Sequence, residues 1–319
     1  MFLSLLDRPF VLSFQLCSTC KLSGYLAIDL EREDGDSAFI KGTGLADTAF
    51  KAKYGPWAVI AGGSEGTGRS FARLAAAKGL NCVLVAKGGP LEQTAREIRD
   101  EFGVEVITLQ LDLSSPDAAE QIFAAAADRE VGLFINNAGA DWFGERFLEV
   151  DIEGWLAVSR INIDTMLRCV HRFGGEMRRR RRGGILIVNS GACYGGSKYL
   201  AIYCAAKGFQ LNFAESFWSE MRPYGVDVCT IVLGRTNTPG YHHRRATKGI
   251  TVSDAGLASP DEVAALGLDR LPFGPITNCG QEDEEAGYLT YSAADRREKV
   301  IKMETYVMQD SGYRLETDI

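Results

Sequence analysis

The chain has 319 residues, 46% of them hydrophobic and 24% charged, enough to bury a sizeable core in one large domain or two. A formal charge of −7 excludes a surface built for nucleic acid, whose phosphates demand a basic partner. The eight cysteines are scattered, with Cys82, Cys193 and Cys229 in or beside apolar runs, which reads as small buried hydrophobes in a reducing, cytoplasmic setting and excludes a disulfide framework.

Residues 1–16 are apolar but contain Asp7 and Arg8, lack a basic start and are too short for a bilayer of about 30 Å. Neither a signal peptide nor a membrane span is expected there. Cys17 and Cys20 form a CxxC, yet no second pair or suitably spaced histidine follows, the only histidines being His171, His242 and His243; no metal site is expected. Residues 24–53 show no period, so 1–53 reads as an irregular or flexible extension.

From Trp57 the pattern changes. The apolar run Trp57 to Ala61, the turn Gly62-Gly63-Ser64-Glu65-Gly66-Thr67-Gly68 and the helical stretch Arg69 to Lys78 give strand, glycine-rich turn and helix. Backbone amides at such a helix start point at a pyrophosphate, and the glycines let it approach. The spacing is GxxxGxG, not the usual GxGxxG. Strands are then predicted over Asn81 to Ala86, Val104 to Leu109, Gly132 to Asn136, Ile185 to Asn189 and Val226 to Val232. Between them fall helices over Leu91 to Glu101 and Pro116 to Asp128, a long one within Gly154 to Arg181, and one from about Leu200 to Met221. This alternation predicts an α/β fold: a Rossmann-type doubly wound parallel sheet in three α/β/α layers, a single domain over 54–280. The near-continuous apolar strands agree, being buried on both faces.

Arg178 to Arg182 form an unbroken arginine run. The ordinary reading is a solvated helix end whose cations complement the helix dipole before Gly183 and Gly184 stop the helix; docking of an acidic partner or a membrane surface is the alternative. Gly234 to Pro260 lacks periodicity and leaves the carboxyl end of a strand, as a substrate lid would. His242, His243, Arg244 and Arg245 lie in it, as a solvated loop or as contacts for an anionic substrate. A short helix begins near Ser259-Pro260-Asp261-Glu262 with cap signals, Gly274 to Thr277 is a last short strand, and 281–319 is a polar tail.

Two stretches carry chemistry. Ser190 ends an apolar strand, at the edge where ligands bind in open α/β sheets. Tyr203 and Lys207 are four apart, one above the other on a helix face, so an ammonium beside the phenol is expected to lower a pKa of about 10 and make Tyr203 a general acid/base.

With Gly62-x-x-x-Gly66-x-Gly68, Asp112-Leu113, Asn136-Asn137-Ala138-Gly139, Asn162, Ser190 and Tyr203-x-x-x-Lys207 in this order, residues 54–280 resemble the classical short-chain dehydrogenases/reductases. The resemblance implies that Tyr203 exchanges a proton with a carbonyl or alcohol oxygen, that Lys207 tunes it and holds the nicotinamide ribose, and that Ser190 binds the substrate oxygen. Asn162 would keep a water in a relay to Lys207. Asp112 and Leu113 would meet the adenine, Asn136, Ala138 and Gly139 the adenosine side, and Thr236 and Thr238 the carboxamide end. Gly62, Ser64, Gly66, Thr67 and Gly68 would cradle the phosphates. After the second strand stands Ala86-Lys87-Gly88 where an NAD enzyme has a carboxylate, so NADP(H) is expected, NAD(H) remaining possible, with Lys87 and Ser64 on the 2′-phosphate.

The expected activity is interconversion of a ketone and a secondary alcohol. Trp142, Phe143, Tyr194 and Tyr199 suggest an apolar or bulky substrate, 3-oxoacyl or steroid-like. The other class considered is a non-catalytic dinucleotide-binding regulator or scaffold, whose mark would be a missing Tyr, Lys or Ser. By the same resemblance the helices over about 154–181 and 200–222 would pair with a second subunit, giving a homodimer or homotetramer.

Overall fold

Seven apolar runs form one sheet in the computed structural model, which describes residues 47–279 apart from 198, 248 and 250–252, together with residue 297. The CxxC cysteines, the apolar stretch 1–16 and nearly all of the tail lie outside the described residues. The strands are β1 (Trp57–Ala61), β2 (Asn81–Ala86), β3 (Val106–Gln110), β4 (Val131–Asn136), β5 (Gly183–Ser190), β6 (Val226–Leu233) and β7 (Ile276–Cys279), in the order β3-β2-β1-β4-β5-β6-β7. Every pairing is parallel. The doubly wound architecture is therefore present, and the chain changes direction across the sheet between β1 and β4, where the loops at their carboxyl ends part to leave a crevice.

Both faces of the sheet are buried, as the unbroken apolar strands required. Ala58 and Ile60 of β1, with Leu186 and Val188 of β5, pack against α2 (Gly66–Ala77), α3 (Leu91–Phe102) and α9 (Pro260–Arg270) through Phe71, Ile98 and Leu268. Val59 and Ala61, with Ile185 and Ile187, face the opposite way. They meet α4 (Ala118–Ala125), α6 (Thr165–Arg180) and α7 (Ala201–Met221) through Ile122, Phe173 and Ala214. This alternation follows from the two-residue period of a strand.

Three features differ from expectation. Residues 48–53, read as the end of an irregular extension, form with Tyr54 the helix α1 (Thr48–Tyr54), capped by the Asp47 side chain on the amide of Phe50. Buried Phe50 and Tyr54 anchor it, and the Tyr54 hydroxyl donates to Asp227 at 2.6 Å. Only two of its side chains are apolar enough to dock, too few for a periodic signal. The long helix over 154–181 is α5 (Ile152–Ser159) and α6 joined by a π-helical turn over Arg160–Asp164. The presumed irregular lid contains α8 (Pro239–Ala246), started by a Thr238 cap on the amide of Tyr241 and by Pro239 in its first turn.

The arginine run is engaged with its own molecule. Arg178 donates to the Tyr224 hydroxyl, Arg180 to the Val131 carbonyl, and Arg181 to the Pro223 carbonyl. Arg182 reaches the carbonyls of Ala52 and Gly55, each at 3.0 Å, and also Glu130. These side chains tie α1, β4 and the turn before β6 to the end of α6, so the run acts largely as a clamp under the sheet.

Candidate active site

The crevice is built from loops at the carboxyl edge. After β1 the chain turns through Gly62 to Glu65 into α2. The amides of Gly62 and Gly63 donate to the Val85 carbonyl, and Thr94 Oγ1 donates to that of Ser64 at 2.8 Å. After β4, Asn137 and Ala138 return their amides to the Ala61 carbonyl, and Asn137 Nδ2 donates to Gly62 at 2.8 Å. Gly68 is required by this closeness: a Cβ there would lie 1.8 Å from the Gly62 oxygen and 2.7 Å from Asn137 Nδ2. The first-turn amides of a helix have no intrahelical acceptor, and the side chain of Glu65 at the N-cap does not cap α2. The turn therefore offers donors at the positive end of a helix dipole that the N-cap side chain does not take up, which fits a pyrophosphate.

Around this cradle Ser64, Thr67 and Asn136 are buried. Gly66 lies against Thr238 from the entrance of α8, a Cβ on it falling 3.1 Å from the threonine Cβ. Buried Thr236 pairs with Ala258 in an isolated bridge. The loop after β2 comes to the same place, a Cβ on Gly89 falling 3.2 Å from Ser64 Oγ. At the far end Lys87, exposed, forms an ion pair with Asp112 at 2.7 Å. Asp112 also accepts from the amide and hydroxyl of Ser114. The Lys87 hydrogen bond and then Ser114 hold the carboxyl down at about 2. Leu113 is buried in the core, its carbonyl accepting from Thr165 at 2.9 Å.

A second group gathers across β5 and α7. Ser190 ends β5 near Tyr203, whose ionisation it eases, and its Oγ accepts from the amide of Ala192 at 3.3 Å. Asn189 Nδ2 donates to the Lys207 carbonyl at 3.1 Å, fixing the helix against the strand end. The Lys207 side chain is buried and donates to the Val188 carbonyl and to Gln210 Oε1, both at 3.0 Å. Its Nζ lies 5.6 Å from the centre of the Tyr203 ring. Asn162, buried in the π-helical turn, donates to the carbonyls of Ala140 and Val158. Gly139 lets the loop after β4 pass over this group, since a Cβ would lie 2.6 Å from Asn162 Oδ1 and 3.1 Å from Lys207 Nζ.

The electrostatics depart from the expected pattern. Burial raises the Tyr203 phenol above its ordinary value, Asp141 and Cys204 adding to the rise and Ser190 and Arg244 opposing it. Removal from water takes Lys207 from 10.5 down to about 8. The ammonium was expected to lower the phenol. It does not prevail, because desolvation disfavours the charged form of each group, and two of the three N–H bonds of Lys207 point at Val188 and Gln210. The second departure concerns Asn162. Its carbonyl accepts from Gln210 Nε2 at 2.6 Å, and Gln210 Oε1 accepts from Lys207, so a side chain the expectation did not include joins the two residues.

Several residues escaped the sequence reading. Asn189 and Gln210 lie one residue before Ser190 and three after Lys207, and helical spacing puts Gln210 on the Lys207 face. Asp141 acts on Tyr203 from the loop after β4, and Arg244, expected in the lid as a solvated residue or an anion contact, acts on it from α8, proximities with no local signal.

A model of the short chain dehydrogenase family matches residues 56–249. The 7beta-hydroxysteroid dehydrogenase of Collinsella aerofaciens is 35% identical over 191 residues, 60% of this chain and 72% of that enzyme. The very-long-chain 3-oxoacyl-CoA reductase-like protein of Arabidopsis thaliana is 33% identical over 187 residues, 57% of this chain and 60% of that protein. A solved short-chain dehydrogenase from Sphingobium yanoikuyae in complex with NADPH superposes with a TM-score of 0.65 at 25% identity, over 83% of this chain and 98% of that one. A parallel sheet with a glycine-rich turn at its switch point, together with a family match over more than half its length, places the chain in the short-chain dehydrogenases, oxidoreductases that act on CH–OH and C=O groups with a nicotinamide dinucleotide.

Proposed function

We propose that the chain interconverts a ketone and a secondary alcohol with NADP(H), with Tyr203 as general acid/base. The observation that carries this reading is the convergence of Ser190, Tyr203 and Lys207 beside a glycine-rich turn suited to a pyrophosphate. The nicotinamide would supply or accept the hydride. Ser190 hydrogen-bonds the substrate oxygen, and Tyr203 exchanges the proton with it. A phenol held protonated at neutral pH can donate to a carbonyl oxygen. Lys207 and Asn162 support the acid/base group from behind. Gly62, Ser64, Gly66, Thr67 and Gly68 hold the phosphates, Asp112, Leu113, Asn136, Ala138 and Gly139 the adenosine side, and Thr236 and Thr238 the carboxamide.

NADP(H) is preferred because Lys87, the residue after β2, is a cation on an exposed loop that Gly89 brings against Ser64. The substrate is apolar and bulky, of steroid or 3-oxoacyl type. The steroid and oxoacyl relatives support this, as does Trp142 in the loop after β4, 47% exposed. Phe143 is instead spent on packing against Trp155, their ring centres 5.1 Å apart.

Phe209, Phe213 and Phe217 stack along α7 at 6.1 and 5.4 Å, and exposed Phe209 and Leu156 extend that apolar face over α7 and α5. We assign this face to a second copy of the chain; a monomer in size-exclusion with light scattering would remove the assignment. Among the described residues no helix is long and apolar enough to cross a membrane, and the free cysteines fit a cytoplasmic location.

The test of activity is NADPH oxidation against a panel of steroid, 3-oxoacyl and simple ketones. Tyr203→Phe should abolish turnover while leaving NADPH binding intact. Cofactor binding without turnover on any ketone would favour a regulatory role.

A further inference from the structure

Gln210 lies on α7 three residues after Lys207, fully buried, and joins two functional groups that would otherwise not touch. Its Nε2 donates to the Asn162 carbonyl at 2.6 Å, and its Oε1 accepts from Lys207 Nζ at 3.0 Å. The amide can face only one way here, since an ammonium and a carbonyl require opposite ends of it. The π-helical turn that carries Asn162 presents this carbonyl to α7, which ties the turn to the ammonium by one side chain.

We infer that Gln210 is a positioning residue for the proton-handling pair: it bridges the Asn162 main chain to Lys207 and holds the ammonium at the end of β5, beneath Tyr203. The role rests on the reading of Tyr203 and Lys207 as that pair. Lys207 has two fixed acceptors, Val188 and Gln210. A buried side chain that loses one of them loses much of what favours its charged form. The bridge therefore governs both where the ammonium points and how readily it stays charged.

The titratable groups facing Lys207 are Cys193, from the turn after β5, and Tyr203 on its own helix. Tyr203 in turn feels Arg244 from α8, Asp141 from the loop after β4 and Cys204. All of them are retained in Gln210 variants, so a change in titration reports on residue 210.

The full chain is labelled with 13Cε-lysine, and Lys207 is assigned by its loss in Lys207→Met. Its buried titration near 8 separates from surface lysines near ~10.4. Gln210→Glu, nearly the same shape, should raise the Lys207 midpoint by about one unit or more, and Gln210→Met should lower it. In the same variants the alkaline limb of kcat/KM should move in the same directions, with kcat in Gln210→Met falling about tenfold or more at neutral pH. A merely structural glutamine would lower the melting temperature and leave both midpoints in place, and that result overturns the inference. If the wild type reduces no ketone while the Lys207 titration still follows residue 210, the bridge stands and the proposed activity falls.

Discussion

Replacing Lys87 by glutamate tests the cofactor assignment most sharply. The lysine side chain is 79% exposed, so its attraction for a ribose 2′-phosphate lies near the aqueous limit. That is about 1 kcal/mol per pair of unit charges at ~4 Å, for a phosphate carrying roughly −1.5 to −2. Reversing the sign of the side chain then costs about 3 kcal/mol before ionic screening, and about half of that near 0.15 M salt. NADPH should bind roughly tenfold or more weakly, and NADH, lacking the phosphate, should be nearly unaffected.

Loss of fold cannot mimic this effect. The carboxyl of Asp112 is depressed from 3.8 to about 2 by Lys87 and Ser114. That nominal shift of ~2.5 kcal/mol, shared with Ser114 and discounted for the exposed lysine, leaves less than about 1 kcal/mol of stability in the pair. The assay is fluorescence titration of both nucleotides with wild type and variant, at low and high salt, with melting curves as control. An unchanged ratio of NADPH to NADH affinity would refute the assignment of Lys87 to the phosphate.

Lys207→Met should be more stable than wild type near neutrality and lose that advantage as pH rises. The folded lysine titrates near 8 instead of 10.5, so between these values the unfolded chain binds more protons and wild-type stability climbs with pH; parallel melting temperatures across pH 7 to about 10.5 would contradict this. Gly68→Ala places a Cβ 1.8 Å from the Gly62 oxygen, so the turn must open; dinucleotide affinity should fall more than about tenfold by calorimetry, and retained affinity would show that the cradle is elsewhere. Arg182→Ala removes the bonds to Ala52, Gly55 and Glu130 and should cost about 1–2 kcal/mol in urea unfolding, discounted for a partly exposed side chain. An unchanged midpoint would return the arginine run to a docking surface.

Sequence alone determined the sheet and its order of elements. Unbroken apolar runs such as Ile185 to Val188 can only be buried on both faces, and the alternation with helices leaves few ways to wind them. It also determined the glycine-rich turn and the Tyr203–Lys207 spacing, because both are local: a close approach needs glycine, and a helix face needs a spacing of four. Tertiary structure decided what the neighbours of those residues are. Gln210 meets Asn162 across 48 positions of chain, and Arg244 and Asp141 act on Tyr203 from α8 and from the loop after β4. The same holds for α1, whose helix depends on docking Phe50 and Tyr54 against the finished sheet. The direction of the Tyr203 shift could not be read from spacing, since it is set by how much water the surrounding elements exclude; a motif specifies which groups meet, and the packing around them specifies their charge.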